Sequence, residues 1–497
     1  EMAGKKKQIS RQEFVTLHQD LLEDERKAEV SQAQDEVEGS SLKALEAKGV
    51  VLARLVISER STGLYGRPLF KLIPVKKDAT LPANTFSSGD IVGVYECGAG
   101  IGKQLTTGVV IRISQYNIKV ALDDDADELD SLEDDKQLRL HKLANDVTYR
   151  RIKRALGDLD SLVRGPAAHV ASVLFGETEP RSIIPSLPPK LLDNDGGIVL
   201  YNQRLDESQK SAVEFAIQRN DIAVVHGPPG TGKTTTIVEI IRQHVKLGSK
   251  VLACAPSNLA VDNLVERLAA VGVRVVRIGH PARATELTQR HTLDALMHHC
   301  DESEILDDIH KDISGNVTKL KTARHKGERI RIQNEIKTFR KELRERESRL
   351  TKQILSGADV VLATLTSSSK GGPLKHLPDD HFDLAVIDEC SQSIEASCYM
   401  ALLQAPKLII AGDHHQLPPT IISKQAAAGG LDLSLMERII EQYGDCMVKM
   451  LTVQYRMNSL IMDWASAALY NNRLTAHTSV ANHLLTDLAG IKTNEDT

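Results

Sequence analysis

The chain has 497 residues, 41% of them hydrophobic, and a formal net charge of -5 at pH 7. That length exceeds what one hydrophobic core organises and predicts two to four domains. No apolar run reaches the roughly twenty residues that cross a bilayer, Lys5-Lys6-Lys7 leads into no apolar signal stretch, and the six cysteines show no Cys-x-x-Cys spacing, so membrane, secreted, zinc and disulfide-framework classes are not expected.

Residues 11 to 36 carry Phe14, Leu17 and Leu21 at helical spacing among Glu, Gln and Lys, which predicts a long strut-like helix. From Gly49 the pattern changes to short alternating runs, Val50 to Ile57, Pro68 to Val75, Asp90 to Tyr95, Gly108 to Ile113 and Ile118 to Leu122. Gly, Ser and Asn turns separate them, and a small antiparallel β-barrel fits. An acidic stretch spans Asp123 to Asp135. Helical periodicity returns at Val147, Ile152, Leu156 and Leu159, with Asp146 placed as a cap, before a proline-rich linker from Pro180 to Pro189.

From about residue 195 apolar strands alternate with helices, the signature of an α/β domain with a parallel sheet covered on both faces. Strands are predicted at 222 to 225, 250 to 254, 359 to 363, 384 to 387 and 407 to 411. A charged insertion, roughly 284 to 352, reads as two antiparallel helices with Ile332, Ile336, Phe339 and Leu343 on one side. Its segment from Lys311 to Lys352 holds fourteen Lys/Arg against six Asp/Glu. Glu342/Arg346 and Glu345/Arg349 sit at i,i+4 and can satisfy each other, so a solvated helix surface is the first reading of that block.

The chemistry concentrates at strand ends. His226-Gly227-Pro228-Pro229-Gly230-Thr231-Gly232-Lys233-Thr234-Thr235 follows an apolar run and precedes a helical one, which is the setting of a phosphate-binding loop. Its glycines let backbone N–H groups converge on phosphate oxygens, Lys233 reaches the outer phosphates, and the Thr234 hydroxyl can ligate Mg2+. A nucleoside triphosphate is the expected ligand. The run Leu384 to Ile387 delivers Asp388 and Glu389 to the edge where open α/β sheets bind ligands. Asp388 suits a Mg2+ held through water and Glu389 an attacking water, so hydrolysis is expected beyond binding. Gln416, in Gly412-Asp413-His414-His415-Gln416-Leu417-Pro418-Pro419, is a neutral donor suited to a γ-phosphate. In Gln454-Tyr455-Arg456-Met457, Tyr455 offers a stacking face and Arg456 a guanidinium, although singly they read as a packed aromatic and a surface charge. Gln209, in Leu205-Asp206-Glu207-Ser208-Gln209, has a donor and an acceptor for an adenine edge.

These segments, in this order, resemble the superfamily 1 helicases, in the branch that holds the nonsense-mediated-decay helicase and the immunoglobulin mu-binding protein helicase. The resemblance extends to residues 255 to 263 and 451 to 457. It implies a RecA-like P-loop NTPase sheet with an accessory barrel, a helical stalk and an inserted helical hairpin. The expected division is a stalk helix at 1–45, a barrel at 46–142, a second stalk helix at 143–180, the RecA-like domain at 181–283 and 356–480, the insertion at 284–355 and a linker at 481–497. ATP and Mg2+ are the implied cofactors, with Gln209 and Tyr455 on the adenine and Gln416 and Arg456 on the γ-phosphate. Pro256, Ser257, Asn258 and Thr364 would contact single-stranded DNA or RNA through its backbone, with little base preference. Position 415 departs from the family pattern, which has Lys there.

The resemblance implies 5' to 3' movement along single strands, and a monomer that is cytoplasmic, nuclear or both is expected. It also implies a second RecA-like domain, for which no motifs follow Tyr455, so the chain is expected to be part of a longer helicase. Two alternatives accompany that expectation: an ATP-responsive single-strand-binding fragment without motor activity, and, less favoured, a small-molecule P-loop kinase.

Overall fold

The structure is a computed structural model. It describes residues 9–487 except 36–41, 63–67, 77–78, 87–89, 98–103, 123–135, 144–145, 280–283, 301 and 323–324. The acidic stretch at 123–135, Lys5-Lys6-Lys7 and most of the expected linker lie outside the described residues. Two compact units emerge, one of Glu1–Asp24, Arg150–Arg277 and Ala358–Thr497, the other of Glu25–Tyr149 and Ile278–Gly357.

The second unit contains a closed antiparallel barrel. Its strands are β1 (Val51–Thr62), β2 (Pro68–Pro74), β3 (Ile91–Glu96), β4 (Gln104–Ile113), β5 (Ile118–Leu122) and β6 (Leu138–Lys142), in the order β1-β2-β5-β4-β3-β6. Alternation places Leu52, Leu55, Phe70, Leu72, Val92, Val94, Val120 and Leu140 inside. Strand β6 is an addition to the five expected. It closes the barrel by pairing with both β1 and β3, and its alternating Leu138-Arg139-Leu140 was obscured by the acidic run before it. The same unit holds the helices Ser303–Thr322 and Lys326–Gly357, which form the expected hairpin. Ile332, Ile336 and Leu343 are buried while Phe339 is half-buried. Arg346 pairs with Glu342 at 2.8 Å, and Glu345 pairs with Lys341 at 4.0 Å.

The first unit is built on a seven-stranded sheet. It comprises β7 (Ile222–His226), β8 (Val251–Ala255), β9 (Val275–Ile278), β10 (Val360–Thr364), β11 (Leu384–Ile387), β12 (Leu408–Gly412) and β13 (Val448–Met450), in the order β13-β7-β12-β11-β8-β10-β9. Every pairing from β13 to β10 is parallel. Strands β7, β8, β11 and β12 are buried along their whole length, as a sheet covered on both faces requires. The two edge strands, β9 and β13, go beyond the five predicted. Unlike the four-residue apolar run of β11, they are short and interrupted by Arg277 and Lys449, so neither stands out as a strand. A short parallel pair, β14 (Val453–Gln454) with β15 (Thr475–Ala476), follows the sheet.

Two expectations about helices need correction. In the helix Arg11–Asp35, Phe14 and Leu21 are buried as predicted, but Leu17 is exposed and Leu22 is buried instead. Phe14 stacks on His18 and meets Phe175 and Tyr399 edge-on, so the buried stripe is rotated toward those rings. Asp146 is the first residue of the helix Asp146–Asp160 and does not precede it.

Candidate nucleotide-binding site

Parallel register brings the C-terminal ends of β7, β12, β11, β8 and β10 to one edge: Gly412 lies opposite His226, Ile387 opposite Cys254, and Thr364 opposite Ala255. The phosphate loop, Asp388-Glu389, the Asp413 to Gln416 turn, residues 256–258 and Thr364 lie where these strands stop, whereas Gln209 precedes β7 and Tyr455-Arg456 follow β14.

The loop after β7 turns into the helix Lys233–Leu247 through Gly232, whose φ of 76° is left-handed. Gly230 has φ 77°, and a Cβ there would stand 2.6 Å from the Cβ of Arg456. A Cβ at Gly232 would stand 2.5 Å from Nε2 of Gln209. These two glycines are thus required by conformation and by close approach together. Gly227 differs from expectation, because its N–H donates to the carbonyl of Gly412 at 2.9 Å and is not free for phosphate. Thr231 closes the turn by donating from both N–H and Oγ1 to the Pro228 carbonyl, at 3.2 and 2.7 Å. What remains for an anion is the first turn of the helix, where N–H groups have no intrahelical partner and the positive end of the dipole points. Thr234 lies in that turn, half-buried, and the neighbouring Thr235 Oγ1 accepts from Arg267 at 3.3 Å.

Lys233 Nζ sits 2.8 Å from Asp388 Oδ1 and 2.5 Å from Glu389 Oε1. Burial alone would lower its pKa, but the two carboxylates outweigh that and raise it, so the side chain is a fixed cation. Adjacent strand residues point to opposite faces, yet Asp388 and Glu389 both reach one ammonium. The cause is Glu389, a non-glycine residue at φ 53°, which leaves strand geometry immediately after Asp388. Gln392 Nε2 donates to Glu389 Oε2 at 3.0 Å and leaves the other oxygen toward Lys233. The acid pair is only half neutralised by one ammonium, and with the Thr234 hydroxyl of the same helix start it offers an all-oxygen set suited to a hard dication such as Mg2+.

Gln209 is 4% exposed and both ends of its amide are engaged: Oε1 accepts from the Asp206 N–H at 3.1 Å and Nε2 donates to the Thr231 carbonyl at 2.9 Å. It braces the phosphate loop with one N–H and one lone pair, which leaves its second N–H and second lone pair for another partner. Tyr455 is tied to the same helix start, with its hydroxyl donating to Asp206 Oδ2 at 3.0 Å. Burial and that carboxylate push the Tyr455 phenol up to about 12. Its ring lies 4.6 Å from that of His477, and its N–H donates to the Gly230 carbonyl at 2.9 Å. Arg456 is exposed beside Gly230, and the buried Gln454 holds the turn by accepting from the Arg456 and Met457 N–H groups, both at 2.8 Å.

Gln416 Nε2 donates to Asp413 Oδ2 at 2.7 Å, and His226 Nε2 lies 3.0 Å from Asp413 Oδ1. His226, Asp413 and His414 could each offer a metal ligand atom within 4.8 Å of the others. The Asp413 oxygens are already supplied with donors, which favours a hydrogen-bond centre there. Although Asp413 is buried, bonds from His226, Gln416 and Tyr470 hold its carboxyl down at about 2. His414 is pushed down to about 4 by burial, then by His226 and His415, and His415 is lowered by burial and His226. Both effects favour the neutral imidazole at position 415, where the resemblance implies a lysine.

Asp413, His226 and Tyr470 had no role in the sequence analysis. The available signal was an apolar strand ending in Gly412-Asp413, the same form that singled out Asp388. Along the edge, Pro256, Ser257 and Asn258 follow β8 and Thr364 ends β10, on adjacent strands. Ser257 caps the helix Asn258–Ala270 through Oγ, which accepts from Ala260 at 3.1 Å. Asn258 Oδ1 accepts from the buried Arg277, which is also paired with Asp262. Thr364 Oγ1 bonds Ser367 Oγ at 3.0 Å. These caps hold the row rigid.

Comparison with known proteins matches this layout. A family model described as "Helicase SMUBP-2/HCS1, 1B domain" matches residues 15–143, and two described as "AAA domain" match residues 204–424 and 431–496. The DNA polymerase alpha-associated DNA helicase A of Schizosaccharomyces pombe is 34% identical over 497 residues, covering 97% of this chain and 72% of that protein. The chain belongs to the SMUBP-2/HCS1 family of superfamily 1 helicases. The DNA-binding protein SMUBP-2 of Mesocricetus auratus is 51% identical over 486 residues, covering 97% of this chain and 48% of that protein. A more distant member of the branch, a regulator of nonsense transcripts 1 homolog from Neurospora crassa, is 36% identical across 57% of this chain and 24% of its own length. The chain spans about half the length of the SMUBP-2 relatives it matches.

Proposed function

We propose that this chain carries the nucleotide-hydrolysing site of an ATP-dependent nucleic-acid helicase that moves along single-stranded DNA or RNA, 5' to 3'. In that reading the parallel sheet is RecA-like, the barrel and helical hairpin are accessory elements, and the helices Arg11–Asp35 and Asp146–Asp160 are a stalk. The observation that carries it is the Lys233 ammonium gripped by Asp388 and Glu389 beside a glycine-cornered helix start. A loop that only bound phosphate would need no adjoining carboxylate pair, whereas hydrolysis needs a cation clamp and a base for water.

Lys233 leaves its carboxylates for the outer phosphates when nucleotide enters the helix start. Thr234 and Asp388 would hold Mg2+, whose charge would offset that developing on the phosphates. Glu389, set off the strand by its left-handed backbone, orients water and takes its proton. Gln416 donates to the γ-phosphate, Tyr455 offers its ring to the adenine, and Arg456, exposed beside Gly230, faces the phosphates. Gln209 braces Asp206 and Thr231 with one lone pair and one N–H and turns its remaining pair to the adenine edge. Pro256, Ser257, Asn258 and Thr364 supply the row along which a strand backbone lies.

The test is ATP turnover by this chain with and without single-stranded DNA and RNA oligonucleotides, beside Glu389→Gln. Strand-stimulated turnover that the substitution abolishes supports the proposal. ATP binding without turnover would mean a nucleotide-responsive binding module, and phosphorylation of a small acceptor would refute both.

A further inference from the structure

We propose that Asp413 is a positioning residue that presets the amide of Gln416 and, through Tyr470, links it to the segment bearing Tyr455 and Arg456. The inference rests on the reading of Gln416 as the residue that meets the γ-phosphate.

Asp413 directly follows β12 and is 2% exposed. Its Oδ1 faces His226 Nε2 at 3.0 Å and the His415 N–H at 3.2 Å. Its Oδ2 receives Gln416 Nε2 and the Tyr470 hydroxyl, each at 2.7 Å. A carboxylate only accepts, so the nitrogen end of Gln416 must face it. One N–H is then committed to Asp413, and the second N–H of the same nitrogen is left for an anion. Without that constraint an exposed glutamine can turn its carbonyl, which repels phosphate, toward the nucleotide. Four contacts on two oxygens also fix the carboxylate plane.

Tyr470 is 1% exposed and lies in the second AAA-matching segment, whereas Asp413 lies in the first. It caps the helix Ser459–Leu469. The chain then enters β15, which pairs with β14 directly before Tyr455. The path from Gln416 to the Tyr455-Arg456 turn thus runs through two short hydrogen bonds and one strand pair. His226, the last residue of β7, is anchored on both sides, since its carbonyl accepts the Leu451 N–H at 2.9 Å. A shift of the Tyr455 segment on nucleotide exchange therefore reorients Gln416 through the Asp413 carboxylate.

The experiment measures affinities for ADP and for a non-hydrolysable ATP analogue by calorimetry, with Mg2+, in wild type, Gln416→Ala, Tyr470→Phe, Asp413→Asn and the Gln416→Ala/Tyr470→Phe double variant. Tyr470→Phe is expected to lower the triphosphate-to-diphosphate preference about fivefold, as loss of one hydrogen bond predicts, while ADP affinity stays within twofold. Asp413→Asn, whose amide accepts either orientation of Gln416, should do at least the same and carries the test if Tyr470→Phe fails to fold. In the double variant Tyr470→Phe should add nothing to Gln416→Ala. If Gln416→Ala leaves the preference unchanged, the γ-phosphate reading fails and the inference with it. If Gln416→Ala lowers it but Tyr470→Phe and Asp413→Asn do not, or if they weaken both nucleotides equally, the positioning role alone is overturned.

Discussion

Replacing Lys233 by Met should destabilise the sheet unit in a way that acid relieves. The substitution keeps the apolar stem and removes the charge 2.8 Å from Asp388 and 2.5 Å from Glu389. At an effective dielectric of about 20 each contact has a gross attraction of about 6 kcal/mol, most of it offset by desolvation. Removing one partner of a buried pair costs about 3–5 kcal/mol, because the remaining charge stays buried. The Asp388 side chain is 4% exposed and that of Glu389 31%, so only the first counts in full and about 3 kcal/mol is expected at pH 7.5. The sign of the pH effect follows from linkage. In the variant the two carboxylates repel, the folded form binds a proton more readily than the unfolded chain, and stability falls as pH rises. The penalty should therefore shrink toward pH 5, and Mg2+ should reduce it at pH 7.5. Urea unfolding followed by circular dichroism from pH 5 to 8 gives the answer. A loss below about 1 kcal/mol at pH 7.5, or one that does not change with pH, refutes the reasoning.

Gly232→Ala forces a left-handed φ of 76° and a Cβ 2.5 Å from Gln209 Nε2. It should cost about 1–2 kcal/mol from conformation alone and more than tenfold in ATP affinity, read by thermal melting and calorimetry. Glu389→Gln should retain ATP binding within about threefold while turnover falls at least 100-fold, in line with loss of a general base. Lys407 lies immediately before β12 with its ammonium toward the Ile217 carbonyl, and burial, opposed by Asp221, pushes it down to about 7. Its unfolded form holds a proton up to about pH 10, so stability should rise with pH between 7 and 9, by at most about 1.4 kcal/mol per unit. Lys407→Met should flatten that rise in urea midpoints, and an unchanged slope would show that the ammonium is not the titrating group.

The parallel sheet, the phosphate loop and the Asp388-Glu389 edge were legible because each joins an apolar run to a residue type with one evident chemical use. The barrel was legible except for β6, hidden behind the acidic run, and the sheet except for β9 and β13, whose short runs are broken by Arg277 and Lys449. Contacts between distant positions were not legible at all. Asp413 meets His226 across 187 residues and Tyr470 across 57, and no spacing rule connects them. Gln209 shows a second role that residue type alone cannot reveal. Its amide was read as donor plus acceptor for an adenine edge, and it also braces the Asp206 N–H and the Thr231 carbonyl. The same holds for Gly227, whose N–H is taken by a strand 185 residues away.

The carbonyl of Arg274, just before β9, accepts the N–H groups of Asp359 and Val360 at 2.9 and 3.2 Å, and the Arg274 side chain also pairs with Asp359 at 2.6 Å. The chain therefore departs from the sheet at β9 and returns beside its point of departure after about eighty residues. Topologically that excursion is a socket. Closing a loop costs only with the logarithm of its length, so trimming eighty residues to ten would change sheet stability by no more than about 2 kcal/mol, in the favourable direction. A site of this kind lets a lineage lengthen, exchange or discard an entire appendage without resetting the register of the strands that bind nucleotide.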